Sequence, residues 1–335
     1  MSELYPLRLT PSPKERIWGA TDLRPYFGEF SQPIGEIWYS FEENSVTNGP
    51  LAGRTLASLM TEFGSRLMGT AHQPQKLVRQ TVGSHVTGSS SPTGPYFPIL
   101  AKMLFAEKTL SVQVHPDDDY ALRHEGGPGK TELWYVTDAD DGSAVALGLT
   151  EDMSPDELAD AARSGEIEQY LNWIPVQKGD ALFIPPGTLH TLGAGVTICE
   201  IQQNSDLTYR FFDFGRIDAS GNARQLHVEQ GAQVVRMDAP KSKLTPTPVA
   251  DPVFDRSFLA SCPYFAAETL QWDAPAEFSP DARRFDLLVF LEGQGRIGPE
   301  AYRPGDCFLI PATAGPFKLQ PDCRSTALQG FVPTS

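Results

Sequence analysis

The sequence predicts a mainly β protein made of two small β barrels or jelly rolls in tandem, with a small helical insertion. Glycine and proline are abundant, with 29 residues of each in a chain of 335, which favours tight turns over long helices. From residue 109 onward, short segments alternate apolar and polar residues, as strands with one buried face do. A seven-residue segment also occurs twice, which indicates a duplicated unit.

The duplicated segment reads GDALFIP at 179–185 and GDCFLIP at 305–311. In each copy a turn leads into a buried strand that ends at a proline, and another strand-like run precedes it. The proline-rich segment 240–252 lies between the copies and is predicted to be a linker. We therefore expect a first barrel over 101–239 and a second barrel over 253–335.

Helical signals are few and lie in the first half of the chain. Residues 55–69 carry apolar side chains at helical spacing after Thr55, whose side chain can cap the first turn. The helical insertion, 154–172, begins with Ser154 and Glu157 in the pattern of a capping box. The tract 83–98 is rich in Ser, Gly and Pro and is expected to be a flexible loop. Residues 1–100 as a whole are expected to pack on the first barrel.

Charge and composition exclude several classes of function. The chain carries 42 acidic and 27 basic residues, a net charge of −15, which argues against nucleic-acid or membrane partners. No apolar run approaches the ~18 residues of a membrane span, and the first residues lack the apolar core of a secretory signal. The four cysteines form no CxxC pair, so we expect reduced thiols and a cytoplasmic location. The sequence contains no P-loop and no Gly-x-Ser-x-Gly motif, so neither nucleotide binding nor serine hydrolysis has support.

Four side chains in the first predicted barrel have the types and spacing of a metal site. Gln113 and His115 are two apart on an alternating strand and point to the same side, and Glu132 opens the next strand. Eleven residues after the first glycine of the repeat, the first copy has His190 whereas the second has Pro316, which cannot bind a metal. Two imidazoles, a carboxylate and an amide oxygen suit zinc first, with manganese, iron or cobalt also compatible. The second barrel is accordingly predicted to be metal-free.

Four cations flank the predicted metal strands: Lys102, Lys130, Arg210 and Arg216. On a protein with a strongly negative charge, cations beside a metal pocket suggest local attraction of an anionic ligand such as phosphate. The alternative is that each pairs with one of the many nearby carboxylates, as Lys130 could with Glu132.

Several segments together resemble the type I phosphomannose isomerases, the zinc-dependent mannose-6-phosphate isomerases of the cupin superfamily, in their short bacterial form. The matching segments are LSVQVHPDD (110–118), GKTELWYV (129–136), IPPGTLHTLGAG (184–195), EIQQNSDLTYRFFDFGR (200–216) and RQLHVEQG (224–231). The resemblance implies that both barrels are cupin-type jelly rolls. It also implies one zinc ion per chain, with the ligands Gln113, His115, Glu132 and His190.

The same resemblance implies an activity and the residues that serve it. The reaction would be the interconversion of mannose 6-phosphate and fructose 6-phosphate through a cis-enediol, with a small sugar phosphate as the partner. Lys130 and Arg210 would face the substrate, and Glu200 and Asp206 match acidic positions proposed for proton transfer. The sequence does not choose between these two acids as the base.

Two other functions are compatible with a metal-binding cupin. A cupin dioxygenase would need iron and an open facial triad, and iron content with oxygen uptake would reveal it. A non-catalytic sugar-binding cupin would keep the fold without the base, and a turnover assay would distinguish it.

Overall fold

The chain is mainly β, as the sequence predicts. The structure is a computed structural model that describes residues 4–71, 96–217 and 221–334. The strands in these ranges are β1 (Leu7–Arg8), β2 (Ser12–Asp22), β3 (Glu29–Trp38), β4 (Ile99–Ala106), β5 (Val112–Val114), β6 (Glu132–Ala139), β7 (Ala144–Leu149), β8 (Leu171–Pro175), β9 (Ala181–Ile184), β10 (His190–Leu192), β11 (Val196–Gln203), β12 (Tyr209–Phe212), β13 (Thr247–Val249), β14 (Asp255–Ser261), β15 (Ala266–Trp272), β16 (Ala276–Phe278), β17 (Asp286–Glu292), β18 (Gly295–Ile297), β19 (Glu300–Tyr302), β20 (Cys307–Ile310), β21 (Phe317–Pro321) and β22 (Ser325–Phe331).

Helices are short and occur mostly in the first two thirds of the chain. They are α1 (Leu56–Phe63), α2 (Ser65–Met68), α3 (Asp118–His124), α4 (Pro155–Ser164), α5 (Ile167–Tyr170) and α6 (Val228–Val234). Among the described helices, none is both long and apolar enough to cross a bilayer.

The first half of the chain forms a pair of antiparallel sheets. One has the strand order β2-β3-β4-β11-β6-β9 and the other the order β12-β5-β10-β7-β8. Apolar side chains from both sheets, including Trp134, Leu147 and Ile198, form one buried cluster between them. The outer face of the five-stranded sheet is covered by α4, α5 and α6, which bury a second cluster around Phe211. The site residues lie where the inner faces of these two sheets meet.

The second half of the chain repeats the arrangement with a different interior. A seven-stranded sheet, β1-β20-β17-β22-β15-β14-β13, faces the four-stranded sheet β16-β21-β18-β19. Aromatic side chains fill the space between them, with the Phe290 and Tyr302 rings stacked at 4.1 Å and Trp272 packed edge-on against Phe290. The apolar filling of this interior contrasts with the polar site of the first half.

The two halves pack through the outer faces of the six-stranded and seven-stranded sheets. Ile201 of β11 lies against Gly330 of β22, where an added Cβ would come within 3.1 Å of the Ile201 side chain. The N-terminal residues belong to both halves, because β2 and β3 extend the six-stranded sheet while β1 pairs with β20. The large shared core includes Leu9, Met103 and Leu287.

Both segments predicted to be helical contain helices, with one interruption. Thr55 caps α1 by accepting a hydrogen bond from Ser58 N, but the predicted helix over 55–69 is broken at Gly64, whose φ of +49° ends α1 and separates it from α2. The capping box of Ser154 and Glu157 starts α4, and α5 completes the insertion. Two further helices, α3 and α6, were not predicted from the sequence.

Other predicted segments differ in detail. The predicted linker 240–252 contains the strand β13, which pairs with β14. Most of the predicted loop 83–98 lies outside the described residues. Residues 293–298, GQGRIG, have the spacing of a dinucleotide-binding glycine loop, but they lead into a strand of an antiparallel sheet and not into a helix. All four cysteines are free thiols.

Candidate functional site

Four polar side chains of the first half converge between its two sheets. Gln113 lies in β5 and His115 directly follows that strand. His190 opens β10 and is the antiparallel partner of Gln113, although the two are 77 residues apart in sequence. Glu132 opens β6 in the other sheet. The fold therefore brings together all four side chains that the sequence analysis singled out as metal ligands.

The candidate ligand atoms of this cluster are close together, and those of His115, Glu132 and His190 are buried. His115 Nε2 lies 3.3 Å from Glu132 Oε1, and His190 Nε2 lies 3.5 Å from Glu132 Oε2. The side-chain amide nitrogen of Gln113 lies 3.2 Å from the same nitrogen of His190. Histidine and carboxylate atoms of the three buried residues all fall within 4.8 Å of one another, a spacing at which they could hold a metal ion.

Backbone carbonyl groups fix the orientation of both imidazoles. His115 Nδ1 lies 2.8 Å from Leu207 O, and His190 Nδ1 lies 2.8 Å from Thr188 O. Since a carbonyl only accepts hydrogen bonds, Nδ1 carries the proton in each ring and Nε2 presents its lone pair to the cluster. Burial lowers the pKa of both histidines, and that of His115 falls to about 3 with a further contribution from Lys130. Both rings are therefore neutral at physiological pH, the form that binds metals.

Glu132 is the charged centre of the cluster. Its side chain is fully buried, and among the described residues neither oxygen accepts a hydrogen bond of good geometry. Lys130 Nζ lies 2.5 Å from Glu132 Oε1 and 3.4 Å from His115 Nε2. Burial alone would raise the pKa of Glu132, but the charge of Lys130 outweighs burial and holds the pKa well below its usual range. The ion pair with Lys130 is thus present, and the other carboxylate oxygen faces His190.

Glu200 lies next to this cluster on β11. Trp134 donates its indole N–H to Glu200 Oε1 at 2.9 Å, and the edge of the Trp134 ring packs against His190. Lys102 Nζ lies 3.8 Å from Glu200 Oε2 and 3.6 Å from Glu36. Burial and the nearby charge of Glu132 raise the pKa of Glu200 to about 8. This carboxyl group can therefore exchange a proton near neutral pH.

The other predicted site residues lie at different depths. Arg210 is the β12 partner of Gln113 and is half-buried beside the cluster, where its Nη1 donates to Gln225 O at 2.9 Å. Asp206 is exposed in the loop before β12. Arg216 is turned towards Asp213, with Nη2 2.5 Å from Oδ1, as the ion-pair alternative for the flanking cations predicts.

Three side chains behind the site were not predicted from the sequence: Arg16, Glu36 and Trp38. Glu36 accepts hydrogen bonds from Arg16 at 2.8 Å and Trp38 at 2.5 Å and continues the line of buried charges from Glu200 through Lys102. Its neighbours Lys102 and Arg16 hold the pKa of Glu36 at about 2, against the effect of burial. The available signal was a charged residue between apolar neighbours, as in GEIW at 35–38.

Known proteins resemble the chain along almost its whole length. The mannose-6-phosphate isomerase of Streptococcus mutans is 36% identical over 332 residues, which cover 96% of this chain and 97% of that protein. The mannose-6-phosphate isomerase ManA of Bacillus subtilis is 34% identical over 326 residues, which cover 94% and 96%. No protein-family model matches the chain.

Solved structures agree with the sequence relatives. The mannose 6-phosphate isomerase from Bacillus subtilis superimposes with a TM-score of 0.81 at 30% identity and covers 98% of this chain and 99% of its own. A variant of phosphomannose isomerase from Salmonella typhimurium, at 13% identity, shares the fold with a TM-score of 0.71 and covers 97% and 99%. Because identity above 30% extends over nearly the full length of the curated relatives, this chain belongs to the mannose-6-phosphate isomerase family.

Proposed function

We propose that this chain is a metal-dependent isomerase that interconverts mannose 6-phosphate and fructose 6-phosphate through a cis-enediol. The observation that carries the proposal is the buried convergence of His115, Glu132 and His190 beside Glu200, in a chain whose relatives are named for this reaction. A bound metal would supply a Lewis acid, and a carboxyl group that titrates near neutral pH would supply a base. Proton transfer next to a carbonyl needs these two parts.

The metal we propose is one zinc ion, with Gln113, His115, Glu132 and His190 as ligands. Three of the four donors fit, because both imidazoles are neutral with Nε2 turned inward, and both Glu132 oxygens are buried without a well-formed hydrogen bond from the described residues. Gln113, whose amide nitrogen lies 3.2 Å from His190 Nε2, would bind through its oxygen after rotation of the amide. When bound, zinc supplies a Lewis acid that polarises the oxygens of the sugar.

Glu200 is the better candidate for the base. It is buried against the metal cluster and held by Trp134, whereas Asp206 is exposed to solvent. Its carboxylate takes the proton from C2 while the aldehyde oxygen gains a proton, and the C2–H electrons become the C1–C2 double bond of the enediol. Return of the proton to C1, with loss of the proton on the C2 oxygen, gives the ketose.

Lys130 and Arg210 have separate tasks in this proposal. The Lys130 ammonium lies within the cluster, where it can stabilise negative charge that develops on the enediol oxygens. Arg210 lies on the neighbouring strand with most of its guanidinium donors unused among the described residues, and it can hold the phosphate.

We also propose the finer organisation and setting of the protein. The two pairs of facing sheets are interpreted as cupin-type jelly-roll barrels, a metal-binding one over 101–239 and a metal-free one over 253–335, with 240–252 between them. Four free thiols favour a cytoplasmic location. The net charge of −15 argues against nucleic acid and membrane as partners, and the names of the relatives favour a small sugar phosphate.

The proposal is tested by a coupled assay of fructose 6-phosphate formation from mannose 6-phosphate with zinc-loaded protein. Oxygen uptake with the iron-loaded protein is measured in parallel. Turnover without oxygen uptake is expected. Oxygen consumption without isomerisation would favour the dioxygenase alternative, and sugar binding without any turnover would favour a non-catalytic sugar-binding cupin.

A further inference from the structure

Two arginines grip one carboxylate just beyond β12. Arg224 donates to both oxygens of Asp213, from Nε to Oδ2 at 2.8 Å and from Nη2 to Oδ1 at 2.5 Å. Arg216 also donates to Oδ1 at 2.5 Å, and its Nη1 bonds to the backbone oxygen of Thr109. A single, largely buried carboxylate therefore fixes the position of two guanidinium groups.

The backbone brings Arg224 next to Arg210. His227 N donates to Arg210 O at 2.8 Å, and Arg210 Nη1 donates to Gln225 O at 2.9 Å, so the segment after Arg224 runs back along β12. Their closeness is also evident electrostatically, since the pKa of Arg210 is lowered by burial and, next in size, by the charge of Arg224.

These guanidinium groups have more donors than partners. Within the described ranges, Arg210 forms no ion pair, and its buried Nε has no hydrogen-bond partner. Arg224 uses one edge on Asp213, and its Nη1 has no hydrogen bond to a described residue. Arg216, in contrast, spends its Nε, Nη1 and Nη2 on Asp213 and Thr109.

The charges beside the site are likewise unbalanced. Among the described residues, Asp213 is the one carboxylate that forms ion pairs with these arginines. Counted over those residues, Arg210, Arg216 and Arg224 exceed it by two positive charges. Like charges held together in a partly buried place are unfavourable unless an anion joins them. A phosphate monoester in its dianionic form has matching charge and oxygens that accept paired hydrogen bonds from guanidinium groups.

We propose that Arg224, oriented by Asp213, is a second phosphate-binding residue of the active site and acts together with Arg210. This inference rests on the proposed function and defines the group by which the site selects its substrate, a phosphomonoester dianion on the sugar. Asp213 is a positioning residue. Arg216 also donates hydrogen bonds to Asp213 but does not contact the phosphate.

The test measures binding of inorganic phosphate to zinc-loaded protein by calorimetry and, separately, KM and kcat for mannose 6-phosphate. Arg224→Gln removes the charge but keeps a similar length, and Arg224→Lys keeps the charge but loses the paired donors. Arg324→Gln is the matched control, because Arg324 is an exposed arginine of the second half that donates to Gln271 at 2.7 Å and lies 3.6 Å from Asp255.

For Arg224→Gln we expect phosphate affinity to fall at least tenfold and KM to rise at least tenfold, with kcat changed less than threefold. The phosphate affinity and KM of Arg224→Lys should lie between those of Arg224→Gln and the unmodified protein. Arg324→Gln should have the same phosphate affinity and KM as the unmodified protein. If Arg224→Gln fails to fold, the lysine variant carries the test.

The outcomes separate this inference from the proposed function. Unchanged phosphate affinity in a folded Arg224→Gln or Arg224→Lys protein would overturn the inference even if the enzyme isomerises mannose 6-phosphate normally. If the unmodified chain binds phosphate through Arg224 but does not isomerise mannose 6-phosphate, the proposed function fails and the phosphate site stands.

Discussion

Glu132 and Asp286 occupy the same position in the two halves of the molecule. Each opens the strand that pairs with the duplicated segment, and each is the register partner of the same isoleucine of that segment, Ile184 for Glu132 and Ile310 for Asp286. Around Glu132 are imidazoles, whereas Asp286 accepts a hydrogen bond from Gln329 at 2.8 Å and lies 3.2 Å from Arg284. The second half therefore keeps the buried acid and surrounds it with an amide and a guanidinium group.

The buried carboxyl group of Asp286 predicts that the free energy of unfolding depends on pH. Burial raises the pKa of Asp286 to about 6, against the opposing effects of Arg284, Gln329 and Arg256 and with a smaller rise from Asp281. Between pH 4 and pH 6 the unfolded chain releases this proton first, so the free energy of unfolding falls as pH rises, by about 3 kcal/mol in total. The contribution is fully present below the unfolded pKa and is lost above the folded one.

Asp286→Asn should remove this dependence. Urea unfolding of the variant and the unmodified protein from pH 4 to pH 8 gives the difference in unfolding free energy. We expect the variant to gain stability relative to the unmodified protein as pH rises from 4 to 6, and the difference to stay constant at higher pH. A difference that does not vary with pH would contradict the raised pKa.

Trp134→Phe tests how Glu200 is held. The substitution removes a 2.9 Å donor to the ionised carboxylate but no proposed metal ligand, so the pKa of Glu200 should rise while metal content stays the same. We expect kcat to fall about tenfold and the acid limb of the kcat/KM profile to move to higher pH. Trp173→Phe, on a partly exposed tryptophan of β8, is the control, and an unshifted profile in Trp134→Phe would refute the assignment.

Glu200→Gln and Asp206→Asn together identify the base. Loss of a general base costs about 10² to 10⁴ in rate, so we expect a loss of that size in Glu200→Gln with metal content retained. Asp206→Asn should lose less than tenfold, because that side chain is exposed. The reverse order of the two losses would transfer the role to Asp206.

Arg210→Ala tests the separation of phosphate binding from metal binding. Because Arg210 lies on the strand that pairs with Gln113 and is not a proposed metal ligand, the variant should keep its metal and its fold but lose activity on mannose 6-phosphate. Metal analysis, circular dichroism and the coupled assay check these three properties. Loss of metal or of folded structure in Arg210→Ala would make its role structural.

Local patterns in the sequence predicted much of the site but little of its support. Alternation of neighbouring residues predicted that Gln113 and His115 share one side of a strand. Comparison of the two repeat copies singled out His190, which has Pro316 as its counterpart. His115, Glu132 and His190 do converge in the fold. The partners of the imidazoles are backbone carbonyls, which carry no side-chain signature in a sequence.

Contacts between distant strands could not be predicted in the same way. Lys102 reaches both Glu36 and Glu200 only because β3, β4 and β11 are neighbours in one sheet. The helix α3 was missed because its seven residues are mostly polar and only Ala121 is fully buried, so no apolar periodicity marks it.

The most direct test of the metal centre compares turnover of mannose 6-phosphate before chelation, after chelation and after zinc is added back. Unmodified protein should lose its activity with the metal and regain it with zinc. His190→Ala should stay folded, because its strand is one of many, but bind no metal and remain inactive after zinc is added. Full turnover by metal-free protein, or normal turnover by His190→Ala, would contradict the account.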